Sequence, residues 1–294
     1  MKPSVFSYHR PSTVCEALAL LAGHGIDAKV IAGGQSLVPM MNMRLAQPTH
    51  VIDLNALEEL TGIARTAGTL SIGALTRHHE LATSLLVRDG CPLLARAAGT
   101  IGHFAIRQRG TLGGSMANAD PAAQLPLIAR TLNARIKVAA SGGTREIDAA
   151  DFLLATMTTS LEADEIITAV DFPCAQPGEK QGFELFSRRQ GDFAIAACAV
   201  TTVVEAGRLA ALRIGIGGVG DVPVTLDEVA ADFEGAFADA TTVARIGKRA
   251  AAAVEPADHP HISAAYQRDL VEALTARALA RACGIDALNT AHNT

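Results

Sequence analysis

Cysteine is scarce and scattered in this chain. The five residues, Cys15, Cys91, Cys174, Cys198 and Cys283, are spaced so that no two fall within chelating or CxxC distance. That spacing excludes an iron–sulfur or zinc signature, and thiols set mostly among apolar neighbours suit reduced core positions. Long apolar runs are lacking too. The longest, FAIAACAV at 193–200, falls far short of the roughly 20 residues that cross a bilayer, so no membrane span is expected. The N-terminus, MKPSVFSYHRPSTV, has one lysine and then prolines and polar residues where a secretory signal places its apolar segment. A cytoplasmic chain is expected. There is no basic block either: 25 Lys and Arg stand against 30 Asp and Glu, a formal charge of −5, which argues against a nucleic-acid partner. GGSMA lacks the last glycine of a serine-hydrolase elbow, and no histidine pair has chelating spacing, since His78 and His79 point about 100° apart on a helix. The pair reads as helix-surface histidines.

What is present is a chain of 294 residues, 49% hydrophobic, enough to fill the cores of two domains. SVFSYH, a helix opened by the capping box Thr13–Glu16, and the buried strand AKVIAGG read as strand, helix, strand, and HVIDLN at 50–55 adds another strand. A hairpin is expected about Ala67-Gly68, one or two helices within 76–102, a helix at LPLIARTL, strands about Gly142-Gly143, and a strand ended by Pro173. CAQPGEKQG at 174–182 reads as a linker. Beyond it, two long strands meet at Ala206-Gly207, and helical patterns follow, with a second capping box at Thr225–Glu228 and amphipathic stretches at 241–254 and 263–283. The boundaries predicted are 1–176, 177–285 and a loose tail at 286–294.

Two glycine pairs stand out. Gly33-Gly34 ends a strand in KVIAGGQSLVP, and Gly113-Gly114 lies in RGTLGGSMANADPAAQLP, which reads as a loop. Glycine permits positive φ and removes Cβ, so successive N–H groups can grip a phosphate without a positive charge. Two such segments, flanked by Gln35, Ser36, Ser115 and Asn118, suit a diphosphate. GIGGVG at 215–220 matches the dinucleotide fingerprint literally, but Asp221-Val222-Pro223 interrupts the helix that should follow and the strand belongs to a hairpin. RQRG and SRRQGD set arginines beside glycine, where solvent-facing ion pairs are the ordinary outcome.

AGGQSLVPMMNMRLAQPTHVIDLN together with TIGHFAIRQRGTLGGSMANADPAAQLP resembles the two flavin motifs of the medium, FAD-carrying subunit of the molybdenum hydroxylases, the carbon monoxide dehydrogenase and xanthine dehydrogenase family. SRRQGDFAIAACAV is similar to the start of that subunit's C-terminal domain. The resemblance implies an α+β fold: an FAD domain of the vanillyl-alcohol oxidase (PCMH) type, in two subdomains, then a domain of three antiparallel strands against helices. It implies FAD held by Ile31, Ala32, Gly33, Gly34, Gln35, Ser36 and Leu37 in the first motif. Thr111, Gly113, Gly114, Ser115, Asn118 and Ala119 would serve in the second. Lys29, Ile101, Asp120, Ile166 and Ile167 would lie near the ribityl, adenosine or ring, and Phe193 would cover the isoalloxazine. Gln124 stands where relatives often carry an acid for the adenosine ribose, Glu184 where some carry a lysine, and Arg109 and Ser115 where asparagine is common.

By the same resemblance, a large subunit would hold the molybdenum cofactor and a small subunit the [2Fe-2S] clusters, in a dimer of heterotrimers. This chain would pass electrons through FAD to an external acceptor, with no catalytic acid, base or metal of its own. Two other readings stay open: a stand-alone FAD oxidoreductase with its own small-molecule substrate, and a scaffold that keeps the fold without the cofactor. The lack of an acid–base constellation argues against the first of these.

Overall fold

A computed structural model describes residues 2–258 and 261–285; the tail predicted at 286–294 lies outside the described residues. The chain opens with a small subdomain: β1 (Ser7–His9), α1 (Val14–His24), β2 (Ala28–Ile31), α2 (Leu37–Asn42) and β3 (His50–Asp53). Its three strands are parallel in the order β1-β3-β2. Thr13 caps α1 by accepting from the Glu16 N–H at 3.1 Å, while the Glu16 carboxylate reaches back to the Ser12 N–H at 2.7 Å rather than to Thr13. Ala17, Leu18 and Leu21 face inward and join Ala28, Ile52 and Leu54 in one core.

The larger subdomain holds an antiparallel sheet in the order β4-β5-β10-β6-β7. Its hairpin β4 (Ile63–Thr66) and β5 (Thr69–Gly73) turns at Ala67 and Gly68, both at positive φ. Six helices follow: α3 (His78–Thr83), α4 (Leu85–Gly90), α5 (Pro92–Gly99), α6 (Phe104–Arg109), α7 (Leu112–Asn118) and α8 (Gln124–Thr131). Three helices thus occupy the stretch expected to hold one or two. Ser84 is extended, and Pro92 drives Cys91 out of the helical region before starting α5 itself. The hairpin β6 (Arg135–Ala140) and β7 (Gly143–Asp148) leads through α9 (Ala149–Phe152), β8 (Leu153–Ala155) and β9 (Thr158–Thr159) to β10 (Ile166–Pro173), the central strand. On β10, Asp171 accepts from Ser71 at 2.6 Å and pairs with Lys137 at 2.7 Å, tying three strands together.

The second unit comprises β11 (Glu179–Phe186), β12 (Ala196–Glu205), β13 (Arg208–Gly217), β14 (Val224–Thr225), α10 (Asp227–Asp232), α11 (Ala240–Ala252) and α12 (Ala264–Cys283). Three long antiparallel strands are joined at one edge by the two-residue β14. The irregular connection covers only 174–178, since β11 starts inside the segment read as a linker. Gly182 is needed there because a Cβ would strike the Ala278 carbonyl of α12. Thr225 does not cap α10; its hydroxyl bonds to the Asp227 carboxylate, and the N-cap is Leu226.

β12 is buried on both faces, which is why its sequence runs apolar without alternation. Ala197 and Ala199 join the core of the larger subdomain, while Ala196, Cys198 and Val200 join the core under α12. On β13 the two odd glycines of GIGGVG do the same work: Gly215 lies against Thr131 and Gly217 against Leu127, both on α8. The glycine pattern therefore serves interdomain packing; the chain continues into β14, and the next helix, α10, starts only at Asp227. Cys91, Cys174 and Cys198 are buried, Cys283 is half-buried, Cys15 is exposed, and all are free thiols. Among the described residues no helix is long and apolar enough to cross a membrane.

Candidate functional site

The two glycine motifs meet. β2 leaves its sheet at Ala32, the chain turns through Gly34 at φ +70°, and Gly33 comes to rest against the Arg109–Gly110 backbone. A Cβ on Gly33 would overlap the Arg109 carbonyl and lie 2.9 Å from the Gly110 Cα. Only glycine allows the two segments to approach so closely.

The motifs do not contribute alike. In the first, among the described residues, the N–H groups of Gly33, Gly34, Gln35, Ser36 and Leu37 donate to no protein acceptor. Five successive amides without protein acceptors in a glycine turn are free to donate to an anion. The second motif, expected as a loop, is the helix α7. Thr111 caps it by accepting from the Gly114 N–H at 3.1 Å, and the Leu112, Gly113 and Ser115 amides bond to Thr76, Ala74 and Thr111 carbonyls. Its glycines supply room instead of donors: a Cβ on Gly113 would stand 2.6 Å from that of Ala74. The helix ends at Ala119 in the left-handed region, and Asp120 then accepts from the Ala122 N–H at 2.9 Å.

Two residues that sequence reasoning missed join the motifs. Arg77 donates to the Arg109 carbonyl and, at 2.6 Å, to the Asn55 side-chain oxygen; the Asn55 amide donates to the Ala32 carbonyl at 2.7 Å. Asp53 holds the Asn55 N–H at 2.9 Å and accepts from the Tyr8 hydroxyl. Burial opposes ionisation of Asp53, but these hydrogen bonds outweigh it and hold its carboxyl below the usual range. Burial and the nearby Arg109 lower the Arg77 pKa. The only sequence signal for Asn55 was its place at the end of the strand HVIDLN.

Beneath the junction sits His78, which is buried and not on the helix surface as expected. One ring nitrogen, Nε2, lies 2.9 Å from the Thr111 carbonyl, and Nδ1 has no partner among the described residues. Burial pushes its pKa down to about 4, so the ring is neutral and donates to the carbonyl through Nε2. His79 stays half-exposed and meets Phe104 edge-on.

Beside the motifs, His103, Ile106, Arg188, Gly191, Phe193 and Ile195 line a cleft of about 480 Å³. Phe193 is 63% exposed there, available to cover a planar ring. Arg107 turns instead to the Ile101 and Gly102 carbonyls, at 2.9 and 2.8 Å, and makes no ion pair among the described residues.

The remaining expected contacts are dispersed. Ile31 is half-buried at the end of β2, Lys29 is exposed on the same strand, and Ile101 packs against the main core. The Ile166 and Ile167 side chains are committed to the cores of the small and larger subdomains, which leaves only their backbone to offer a ligand. Gln124 is buried at the start of α8. Asn118 donates to the Met157 sulfur at 3.7 Å. Glu184 turns to α12, where it pairs with Arg281 at 2.9 Å.

Residues 4–175 match the family model of the FAD binding domain in molybdopterin dehydrogenase, and residues 181–282 that of the CO dehydrogenase flavoprotein C-terminal domain. The chain is 37% identical over 283 residues to the 6-hydroxypseudooxynicotine dehydrogenase complex subunit alpha of Paenarthrobacter nicotinovorans, covering 96% of each chain. It is similar in structure to a chain of the carbon monoxide dehydrogenase from Hydrogenophaga pseudoflava, with a TM-score of 0.93, 36% identity and coverage of 97% of this chain and 99% of that one. The corresponding figures for quinoline 2-oxidoreductase from Pseudomonas putida 86 are 0.93, 34%, 97% and 99%.

Proposed function

The chain belongs to the FAD-carrying medium subunits of the molybdenum hydroxylases, and from that premise we propose how its residues hold the cofactor. The first glycine turn takes the diphosphate on the amides of Gly33 to Leu37, and α7 walls the other side. The carrying observation is the set of five amides, Gly33 to Leu37, without protein acceptors among the described residues, in a turn that the close approach of Gly33 to the Arg109–Gly110 backbone sets against the second motif. Ile31, Ala32, Thr111, Gly113, Gly114, Ser115, Asn118, Ala119 and Asp120 complete that wall. Gln124 serves the adenosine side through its amide, and Lys29, Ile101, Ile166 and Ile167 line the path between. Phe193 covers the ring in the cleft with Ile106 and His103.

When bound, FAD supplies a carrier that handles electrons singly or in pairs, a property of the cofactor that its protein tunes. The residues contribute orientation. Arg77 and Asn55 keep the two motifs in register, and burial of His78 keeps a neutral ring under the junction so that no further positive charge is fixed there. Phe193 shields one face of the ring from water.

We infer a large molybdenum-cofactor subunit and a small iron–sulfur subunit as partners, in a dimer of heterotrimers in the cytoplasm. The names of relatives support it: this chain is 35% identical to the carbon monoxide dehydrogenase medium chain of Hydrogenophaga pseudoflava. Domain limits at 1–176 and 177–285 are part of the same proposal, supported by the two successive family matches.

Purification of the chain with its neighbours tests this. The expected result is one FAD per chain and co-purification of a molybdenum protein and an iron–sulfur protein. A chain that takes up no FAD on reconstitution overturns the proposed site. Reduction of the isolated flavoprotein by a small organic substrate would favour the stand-alone reading.

A further inference from the structure

At the end of β2 opposite the glycine turn, three histidines from three elements converge. His9 ends β1, His24 ends α1 and His50 begins β3. The rings of His24 and His50 stack at 3.7 Å with 12° between planes, and His9 lies 5.1 and 5.2 Å from them. The Nε2 of His9 is 2.9 Å from the Nδ1 of His50. One nitrogen of each ring lies within 4.8 Å of the others, and all three residues are half-buried.

We propose that His9, His24 and His50 form a structural site for one divalent transition-metal ion of the zinc class. Neutral imidazole is a preferred ligand of zinc, copper and nickel, and three such nitrogens with a position left for water make up a recurring ligand set. Donor atoms on a tetrahedral zinc at about 2.0 Å lie about 3.3 Å apart. The 2.9 Å pair is already that close, and the third ring turns out of its stack to complete the set. Without an ion, the short His9–His50 approach is a hydrogen bond between the two rings, which an ion would replace with two metal–nitrogen bonds.

The position indicates the purpose. His50 pairs with Ala28 at the start of β2, whereas the glycine turn leaves the other end of that strand. The ion therefore lies at the end of β2 opposite the glycine turn and holds β1, α1 and β3 together. These strands are only three or four residues long, and an ion bridging β1, α1 and β3 would add to the support that the α1 core already gives the sheet.

The full chain, FAD-loaded and without a polyhistidine tag, should be stripped with a chelator and titrated with zinc or cobalt alone. One ion per chain is expected, with tetrahedral cobalt absorption bands and a higher melting temperature. His24→Ala and His50→Ala should each abolish these, while His79→Ala and His261→Ala should not. Retained FAD content reports that a variant is folded. Should His50→Ala fail to fold, His24→Ala at the end of α1 decides alone. Absence of binding, or binding and cobalt bands unchanged in His24→Ala, overturns the site.

Discussion

Gly33 rests against the carbonyl of Arg109, two residues 76 positions apart whose contact brings the two glycine motifs together. Gly33→Ala should therefore lower the FAD content of the purified chain by at least tenfold, because the added carbon meets backbone and cannot be accommodated by a side-chain turn. Gly114→Ala is the contrast. Within the protein its Cβ would meet only the Thr111 hydroxyl, at 2.7 Å, so the expected cost is that of a weakened cap, about 1 kcal/mol in stability, with a smaller loss of FAD than in Gly33→Ala. Equal FAD loss in both variants would show that the contact is not what distinguishes them.

Arg77 and Asn55 form the strap between the motifs. Arg77→Ala removes two charge-assisted hydrogen bonds and leaves the Arg109 carbonyl and Asn55 side chain without that donor. The expected loss is about 1.5–3 kcal/mol, a roughly ten- to hundredfold weaker FAD affinity by fluorescence titration. Arg77→Lys should restore little, since one ammonium cannot reproduce the forked geometry. Unchanged affinity in Arg77→Ala would remove it from the site.

These residues explain what could and could not be read from the chain. Local features were legible: the turns at Ala67-Gly68 and Ala206-Gly207, the buried run of β12 and the family-like motifs. Gly113-Gly114 looked like a loop because glycine disfavours helices, but the Thr111 cap and the fit against Ala74 override that preference. Arg77, Asn55 and the His9–His24–His50 cluster depend on contacts between distant segments, which no spacing rule anticipates. The burial of His78 likewise comes from Gly110, 32 residues later.

The two units are joined by missing side chains as much as by present ones. At Gly215 a Cβ would collide with the Thr131 hydroxyl and stand 3.0 Å from its Cβ. Gly215→Ala should destabilise the chain by about 1–3 kcal/mol, the ordinary range for overpacking. Adding Thr131→Ala should recover much of that loss, since the hydroxyl is the nearest obstacle. A double-mutant cycle by urea unfolding measures the coupling; strictly additive effects would mean the strand and α8 separate without penalty.

His78 gives the stability a pH dependence whose sign follows from its burial. In the folded chain its pKa is about 4, whereas in the unfolded chain it returns to about 6.5. The unfolded state then binds the proton more readily, so stability is full above about pH 6.5 and declines as the pH falls toward 4. Between pH 7 and pH 5 this one group should cost about 2 kcal/mol. His78→Gln keeps an N–H for the Thr111 carbonyl but cannot titrate. Its stability should therefore fall less over the same interval, by about that amount, when both proteins are unfolded with urea in the FAD-free state. Parallel pH profiles for the two proteins would place the proton uptake elsewhere.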